Sequence, residues 1–218
     1  MNVLLHWSRR SWGIVFVVSI LAVTRLLADG PGIQIPVTGV LGRAQYSRAN
    51  GPFTPLGPGM SVRAGDVVQT ANDSAVDLNF GSPAGLVRIT ENSVLVLEKV
   101  TRTDTNQSGG LEIKLNLNSG ELVGFAKGVA EESRFEIKTP VGLNRIVEGR
   151  YRVDSRGYFV LVEGKALIAY VPVTGEPQAH TLTAPKAVYF SPVEGLNFAP
   201  KELEREVTKQ LRAKLPRK

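Results

Sequence analysis

The chain has 218 residues, of which 43% are hydrophobic and 21% are charged, a composition that fits one globular domain with appendages. It contains no cysteine, which excludes disulfides, thiolate metal sites, cysteine nucleophiles and lipid attachment through an N-terminal cysteine. A chain of this size buries roughly two thirds of its unfolded surface, so its core needs neither disulfides nor metals.

Residues 1–28 are predicted to be an export signal. Arg9 and Arg10 precede an uncharged stretch over 11–24, which is shorter than the ~20 apolar residues of a membrane-spanning helix. Cleavage is predicted after Ala28, and the mature protein is expected to be periplasmic or otherwise exported; an uncleaved signal anchor is the alternative. The arginine pair partly matches a twin-arginine signal, but an ordinary basic n-region is the favoured explanation.

The excess positive charge lies at the two ends of the chain. Removal of 1–28 takes away three basic residues and leaves 23 basic against 20 acidic residues, a net charge of +3. Residues 200–218 hold seven basic and three acidic residues, a local +4, so 29–199 sum to −1. Because the body of the protein is not basic, no nucleic acid is expected as a partner.

Between residues 33 and 193 the sequence predicts short strands separated by turns. Some segments alternate apolar and polar residues, as in a sheet with one buried face: 76–80, 87–89 and 111–117. Others are apolar on both faces and fit central strands: 94–97, 158–162 and 166–171. Strands at roughly ten-residue spacing predict an all-β fold, either an antiparallel β-sandwich or a stack of hairpins.

Seven turn-forming residues between these segments are predicted to have structural roles. They are Gly65, Asp66, Asp73, Gly120, Pro140, Gly149 and Gly164. A turn is predicted at 163–165, whereas Gly149 fits a bulge or a close approach of two backbones. Residues 29–61 are expected to form an N-terminal strand and a Pro/Gly-rich loop, with 51–59 as the loop.

An ordered series of short motifs resembles the FecR domain. The motifs are Gly65-Asp66-Val67-Val68-Gln69-Thr70, Ser74-Ala75-Val76-Asp77-Leu78-Asn79-Phe80-Gly81, Ser93-Val94-Leu95-Val96-Leu97, Phe135-Glu136-Ile137-Lys138-Thr139-Pro140, and Val160-Leu161-Val162-Glu163-Gly164. They run from about Val62 to Tyr170, within a FecR-like domain predicted over 62–193. The sequence departs from the family at 148–151, Glu-Gly-Arg-Tyr, where relatives commonly have Arg-Gly-Thr and an aromatic residue. Partner contacts that relatives make there are not expected here.

The resemblance implies a non-catalytic binding or scaffolding module of the bacterial envelope. Full-length members pass signals from outer-membrane receptors to cytoplasmic sigma factors through a cytoplasmic anti-sigma segment. About ten residues precede the apolar stretch, too few for such a segment, so a stand-alone exported domain is expected, with an envelope protein as its partner. Binding of peptidoglycan or polysaccharide is the alternative, although aromatic residues make up only 7% of the chain.

Few residues suit catalysis or metal binding. His180 is the only histidine after the signal and lies in a stretch that is predicted to connect a hairpin. Asp66, Asp73 and Asp77 lack the spacing of a calcium loop, and the adjacent glutamates Glu131-Glu132 would point apart on a strand. We therefore expect no enzyme activity, no catalytic, metal-binding or cofactor-binding residue, and no cofactor.

Residues 200–215 are predicted to form an amphipathic helix. Pro200 suits the first helical position, and glutamates precede basic residues along the segment, the order that the helix dipole favours. Its apolar stripe and neighbouring basic residues are candidate contacts: Leu203, Val207, Leu211, Leu215, Arg212 and Lys214. Such a helix either packs on the sheet or docks on a partner protein or an anionic membrane surface.

Overall fold

The computed structural model describes residues 32–82, 84–103, 110–128 and 133–200, together with Glu206 and Lys209. The elements of regular structure in this part of the chain are all strands, apart from the helical backbone of two isolated residues, which confirms the all-β prediction. The predicted signal, 1–28, lies outside the described residues. Most of the predicted helix over 200–215 also lies outside the described residues. Glu206 and Lys209 have a helical backbone, but two isolated residues do not establish the predicted helix.

The described residues form sixteen strands in chain order, joined mostly by short turns. The strands are β1 (Ile35–Leu41), β2 (Ala44–Ser47), β3 (Thr54–Pro55), β4 (Ser61–Val62), β5 (Val67–Thr70), β6 (Ala75–Gly81), β7 (Gly85–Ile89), β8 (Val94–Thr103), β9 (Gly110–Ser119), β10 (Glu121–Ala126), β11 (Arg134–Thr139), β12 (Gly142–Asp154), β13 (Tyr158–Tyr170), β14 (Gln178–Thr183), β15 (Lys186–Ser191) and β16 (Gly195–Phe198).

These strands hydrogen-bond into one continuous curled sheet with two arms that leave a long central hairpin. The hairpin consists of β12 and β13, each of 13 residues, paired along their length. The first half of β12 pairs with β11, and that arm continues through β9, β8, β5, β2 and β3. The second half of β12 pairs with β10, and the other arm continues through β7, β6, β1 and β4.

The second strand of the hairpin, β13, also pairs with different strands along its two halves. The first half of β13 pairs with β15, which pairs in turn with β16. The second half of β13 pairs with β14. Each arm is thereby extended beyond the hairpin, and β14 and β16 become the outermost strands on that side.

The hairpin changes its neighbours where Gly149 and Gly164 are direct Cα partners. Both glycines have positive φ, +109° and +93°, and a side-chain carbon on either would lie well under 3.0 Å from a carbonyl oxygen of the other strand. Only glycine fits such a close approach of two backbones. The predicted turn at 163–165 is therefore wrong: β13 continues through Gly164, and the two strands bend together.

The inner faces of the two arms share one hydrophobic core. Phe80 of β6 and Phe135 of β11 come from different arms, and their ring centroids lie 6.2 Å apart. Phe135 also contacts Tyr151 of β12 in an edge-on arrangement at 6.0 Å. Such aromatic pairs add about 0.5–1.5 kcal/mol each to the free energy of burial. The arms therefore face each other across a core that both of them fill.

Three further details differ from the sequence predictions. The β9–β11 pair is parallel, so the sheet is not antiparallel throughout. Residues 94–97 alternate in burial, with Leu95 and Leu97 in the core, because this segment of β8 has only one face turned inward. Of the segments 158–162 and 166–171, also predicted to be buried on both faces, only residues 159–162 are; Tyr158 is half exposed, and 166–171 alternate in burial.

Residues 35–62 belong to the same sheet as the rest of the chain. β1 pairs with β6 and β2 pairs with β5, so this region is not a separate lead-in to the domain. Within the predicted loop over 51–59, Thr54 and Pro55 pair with β2, and Leu56 is buried in the core. One apolar side chain thus anchors a segment whose Pro/Gly composition predicted a loop.

Candidate interaction surface

A cleft of about 660 Å³ opens where β13 ends and β14 and β16 begin. One wall is formed by Tyr170, Gln178 and His180, and the other includes Leu196 and Phe198 of β16. The loops that follow β13 and β15, together with Phe198 at the end of β16, form the rim. The cleft is thus built by the two outermost strands of the sheet and by the loops beside them.

The wall from β13 and β14 is held by stacked rings. Tyr170 is buried, and its ring lies 6.1 Å from that of His180 with the two planes 16° apart. The Tyr170 hydroxyl donates a hydrogen bond to Oε1 of Gln178 at 3.2 Å. A second ring contact, to Phe190 at 5.9 Å, ties Tyr170 to the core. This wall is therefore a preformed surface.

The rim carries some of the most exposed apolar side chains of the described residues. Val173 and Val193 are 72% and 83% exposed, and Phe198 is 57% exposed. The backbone N–H of Val173 donates to the carbonyl oxygen of Pro192 at 2.8 Å, which brings the two loops together. A cluster of exposed apolar groups beside a cleft is typical of a surface that binds another molecule. We call Val173, Val193 and Phe198 the apolar rim.

An unpaired strand edge borders the same cleft. Within the described part of the chain, β14 pairs only with β13, so the outer N–H and C=O groups of Gln178–Thr183 are open to a further strand. No lysine or arginine lies on β14 to discourage pairing. The edge and the apolar rim together offer backbone hydrogen bonds and side-chain contacts to one extended segment.

His180 lies in β14 rather than in a loop. The sequence placed this residue in a hairpin connection because Pro177 and small polar residues surround it, and that prediction is wrong. Pairing with Ile168 of β13 holds the residue in the strand. Its Nε2 atom is buried without a hydrogen-bond partner among the described residues. His180 thus contributes a ring face to the cleft wall.

A second concave area, of about 460 Å³, lies on the outer face of the sheet. Tyr158 and Tyr189 border it, with ring centroids 4.7 Å apart, and Tyr158 is half exposed. Phe198 borders it too and stands between this groove and the cleft. In the sequence these aromatic residues are scattered, and only the register of β13, β15 and β16 brings them together.

The predicted turn residues are spread along the sheet and do not form a site. Asp66 accepts hydrogen bonds from Nη2 and Nε of Arg48 at 2.8 and 3.0 Å, and from the backbone N–H of Arg63 at 3.0 Å. These bonds brace the turn before β5. The other predicted turn residues lie as follows: Gly65 in the same turn, Asp73 between β5 and β6, Gly120 between β9 and β10, Pro140 between β11 and β12, and Gly149 and Gly164 within the long hairpin.

Arginines hold several carboxylates of the described residues. Asp77 accepts from Nε and Nη2 of Arg88, both at 2.7 Å, and the pKa of Arg88 is raised by its hydrogen bonds to Asp77. Asp154 is buried and pairs with Arg156 at 2.7 Å. Among the described residues, no group of three histidine, aspartate or glutamate side chains is arranged to hold a metal ion. Glu131-Glu132 lie outside them.

The candidate contacts of the C-terminal segment also lie outside the described residues. They are Leu203, Val207, Leu211, Leu215, Arg212 and Lys214, and the prediction for them stands as made. In the part of the chain that the structure describes, no helix is long and apolar enough to cross a membrane.

Comparison with known proteins finds a likeness to a solved structure. No family model matches the chain, and no curated protein matches it. A candidate anti-sigma factor from Parabacteroides distasonis has a similar structure, with 12% sequence identity and a TM-score of 0.49. The match covers 66% of this chain and 64% of that one, less than two thirds of the other protein's length. At this identity and score, the likeness assigns neither a family nor an activity.

Proposed function

We propose that this chain is an exported, non-catalytic, FecR-like binding module of the bacterial envelope, which acts through protein–protein contacts. The observation that carries the proposal is the apolar rim beside the unpaired edge of β14. These side chains are 57% to 83% exposed, so water covers most of their apolar surface in the free protein. A partner that buries them would remove this unfavourable contact with water.

The mode of binding that this surface favours is the addition of a strand. A partner segment paired to β14 gains main-chain hydrogen bonds along Gln178–Thr183. Its alternate side chains would then reach the apolar rim and the stacked rings of Tyr170 and His180. Backbone pairing gives affinity, and the cleft selects among segments by their side chains.

The sequence supports the remaining parts of the proposal. The ordered motifs from Val62 to Tyr170 resemble the FecR domain, and the basic and apolar segment over 1–28 fits an export signal. The arginine pairing of Asp66, Asp77 and Asp154 supports structural roles for these carboxylates.

The test is capture of a partner from envelope extracts of the native host by immobilised 29–218. A double variant, Val173→Asp with Val193→Asp, places two charges on the apolar rim. The matched control is Leu41→Asp, which changes an apolar residue of similar exposure, 67%, in β1. We expect one specific protein with the unchanged chain, at least tenfold less of it with the double variant, and undiminished capture with the control.

Capture that is equal for the double variant and the control would overturn the proposed surface. A screen of the purified chain that finds turnover of a substrate would overturn the non-catalytic assignment. We expect all three proteins to be folded, because each altered side chain is exposed, and circular dichroism checks this.

A second function, binding of peptidoglycan or polysaccharide, is favoured by the pair Tyr158 and Tyr189. Sugar rings stack on exposed aromatic faces, and this pair borders a groove on the outer face. Retention of the chain on insoluble peptidoglycan, lost in Tyr158→Ala and kept in Val173→Asp, would establish this function in place of the first.

A further inference from the structure

The pairing of β14 with β13 determines which of its backbone groups face outward. Lys165 and Thr183 are Cα partners, so Gly164 and Ala184 oppose each other next, and the N–H of Ala184 donates to the carbonyl oxygen of Gly164 at 3.0 Å. Hydrogen-bonded and non-hydrogen-bonded pairs alternate along an antiparallel ladder. Every second residue of β14 therefore directs its N–H and C=O groups away from β13: Ala179, Thr181 and Thr183.

Two prolines border this free edge symmetrically. Pro177 lies four residues before Thr181, and Pro185 lies four residues after it. The same alternation places both prolines at outward-facing positions, but proline has no N–H to donate. The outward N–H groups are thus centred on Thr181 and bounded on both sides. Reversing the direction of the strand leaves this pattern unchanged, so the free edge of β14 is complementary to a second copy of itself.

Two-fold pairing of β14 with β14 of a second copy would satisfy every outward group of the strand. With Thr181 opposite Thr181, each Ala179 lies opposite Thr183 of the second copy, and each of these opposed pairs would form two hydrogen bonds. A shift by two residues would place a proline opposite Thr183 or Ala179 and lose hydrogen bonds at both ends. The prolines therefore select one register.

The side chains of β14 suit this register. On the exposed face, Thr181 would meet Thr181, and Ala179 would meet Thr183; on the other face, His180 would meet Leu182. Small and β-branched residues favour strands and pair well across them. No residue of β14 is charged, so no like charges would oppose each other at the centre.

Opposite charges flank the strand at matching positions. Glu176 lies five residues before Thr181, and Lys186 lies five residues after it. In two-fold pairing, the Glu176 end of each copy would lie beside the Lys186 end of the other. Such an arrangement favours the antiparallel orientation of the two copies.

We propose that β14 pairs with β14 of a second copy about a two-fold axis at Thr181, so that the sheet continues from one copy into the other. This inference rests on the strand addition proposed above, and it names the chain itself as the strand that occupies the edge in the free protein. An envelope partner that adds a strand at β14 would displace the second copy. Self-pairing also covers an edge that would otherwise invite uncontrolled association.

Cysteine cross-linking in the full chain tests the register, because the natural sequence contains no cysteine. Thr181→Cys places two thiols on residues whose Cα atoms would lie about 5.5 Å apart, within the range of a disulfide. Ala179→Cys is the matched control, since its two copies would be separated by about 14 Å along the strands. Under mild oxidation we expect roughly tenfold more disulfide-linked dimer with Thr181→Cys than with Ala179→Cys.

A mixture of two variants extends this test. Ala179→Cys and Thr183→Cys should each cross-link poorly alone, but the two proteins mixed together should form a disulfide-linked heterodimer, because these positions oppose each other in the proposed register. A mixture that cross-links no better than the separate variants would overturn this register.

A second measurement uses charge instead of a cross-link. Thr181→Lys places two lysines opposite each other at the axis, and sedimentation analysis should show an association constant lowered by about tenfold or more. The matched control, Thr38→Lys, changes an exposed threonine of β1 and should associate like the unchanged chain. Both altered side chains are exposed, so we expect both variants to fold.

The outcomes separate this inference from the proposed function. A chain that is monomeric at every concentration but captures a different envelope protein would overturn the inference and support the proposed function. A chain that dimerises in the proposed register but captures no other protein would support the inference and count against the proposed function. Equal cross-linking of Thr181→Cys and Ala179→Cys would overturn the two-fold pairing at Thr181.

Discussion

Gly149 and Gly164 face each other across the long β12–β13 hairpin, and each approaches the backbone of the other strand too closely for any side chain. A carbon on Gly149 would meet the carbonyl oxygen of Glu163, and one on Gly164 would meet that of Glu148. The two arms of the sheet separate beside this point. The pair therefore allows one ribbon to serve both arms, and with them both walls of the core.

Replacement of either glycine by alanine should destabilise the protein strongly. We expect Gly164→Ala to lower the free energy of unfolding by about 3 kcal/mol, since it adds a backbone clash to the cost of a positive φ. Gly65→Ala is the matched control: its φ is +87° with nothing within 4 Å of the added carbon, so only about 1 kcal/mol is expected. Urea denaturation measures both. Equal losses would show that the close approach contributes nothing.

The sequence predicted the strands and most turns because their signals are local. Alternating segments such as 111–117 match β9, and the apolar run at 158–162 indicated burial on both faces correctly for 159–162, although 94–97 and 166–171 alternate in burial instead. The sequence indicated a bulge or a close backbone approach at Gly149, but Gly164 reads locally as a turn, so the bend that the two glycines share was not predicted. Only their pairing shows that β13 continues through one of them.

The candidate surface was even less accessible to sequence reasoning. Val173, Val193 and Phe198 are isolated apolar residues in segments rich in turn-forming residues, and nothing in their spacing indicates a common site. The hydrogen bond from Val173 to Pro192 and the pairing of β15 with β16 bring them together. Non-local pairing of this kind leaves no periodic signal in the chain.

Removal of the Tyr151 hydroxyl should stabilise the protein. This hydroxyl is buried without a hydrogen-bond partner among the described residues, and burial raises the pKa of Tyr151 far above its ordinary value. We expect Tyr151→Phe to raise the free energy of unfolding by about 1 kcal/mol, because an unsatisfied buried polar group is costly. Tyr170→Phe, which removes the bond to Gln178, should instead lower it by about 1 kcal/mol. A loss of stability in Tyr151→Phe would reveal a hydrogen bond to that hydroxyl.

Loss of Arg48 from its ion pair with Asp66 should destabilise the protein strongly, because the two partners differ in burial. The Asp66 side chain is 1% exposed, whereas that of Arg48 is 39% exposed, so Arg48→Ala leaves a buried carboxylate without its cation. We expect Arg48→Ala to lower the free energy of unfolding by about 3 kcal/mol. Lys99→Ala is the control, since Glu112 keeps its second partner, Lys114, and should lose less than about 1 kcal/mol. Similar losses in thermal or urea unfolding would contradict the importance of burial here.

Asp154 should make the stability of the protein depend on acidity. Burial alone would raise the pKa of this carboxyl, but hydrogen bonds from the side chain and backbone N–H of Arg156, with the nearby charge of Arg152, hold that pKa below its ordinary value. A lowered pKa in the folded state means that the stabilisation is complete above the ordinary value of about 3.9 and is lost as the pH falls through the lower, folded value. Asp154→Asn should therefore cost about 1–2 kcal/mol at pH 7 and progressively less below pH ~4. Urea unfolding across this range measures the difference, with exposed Glu98→Gln as the control. A cost for Asp154→Asn that is the same at pH 7 and in acid would show that the ionised carboxylate gains nothing from Arg156.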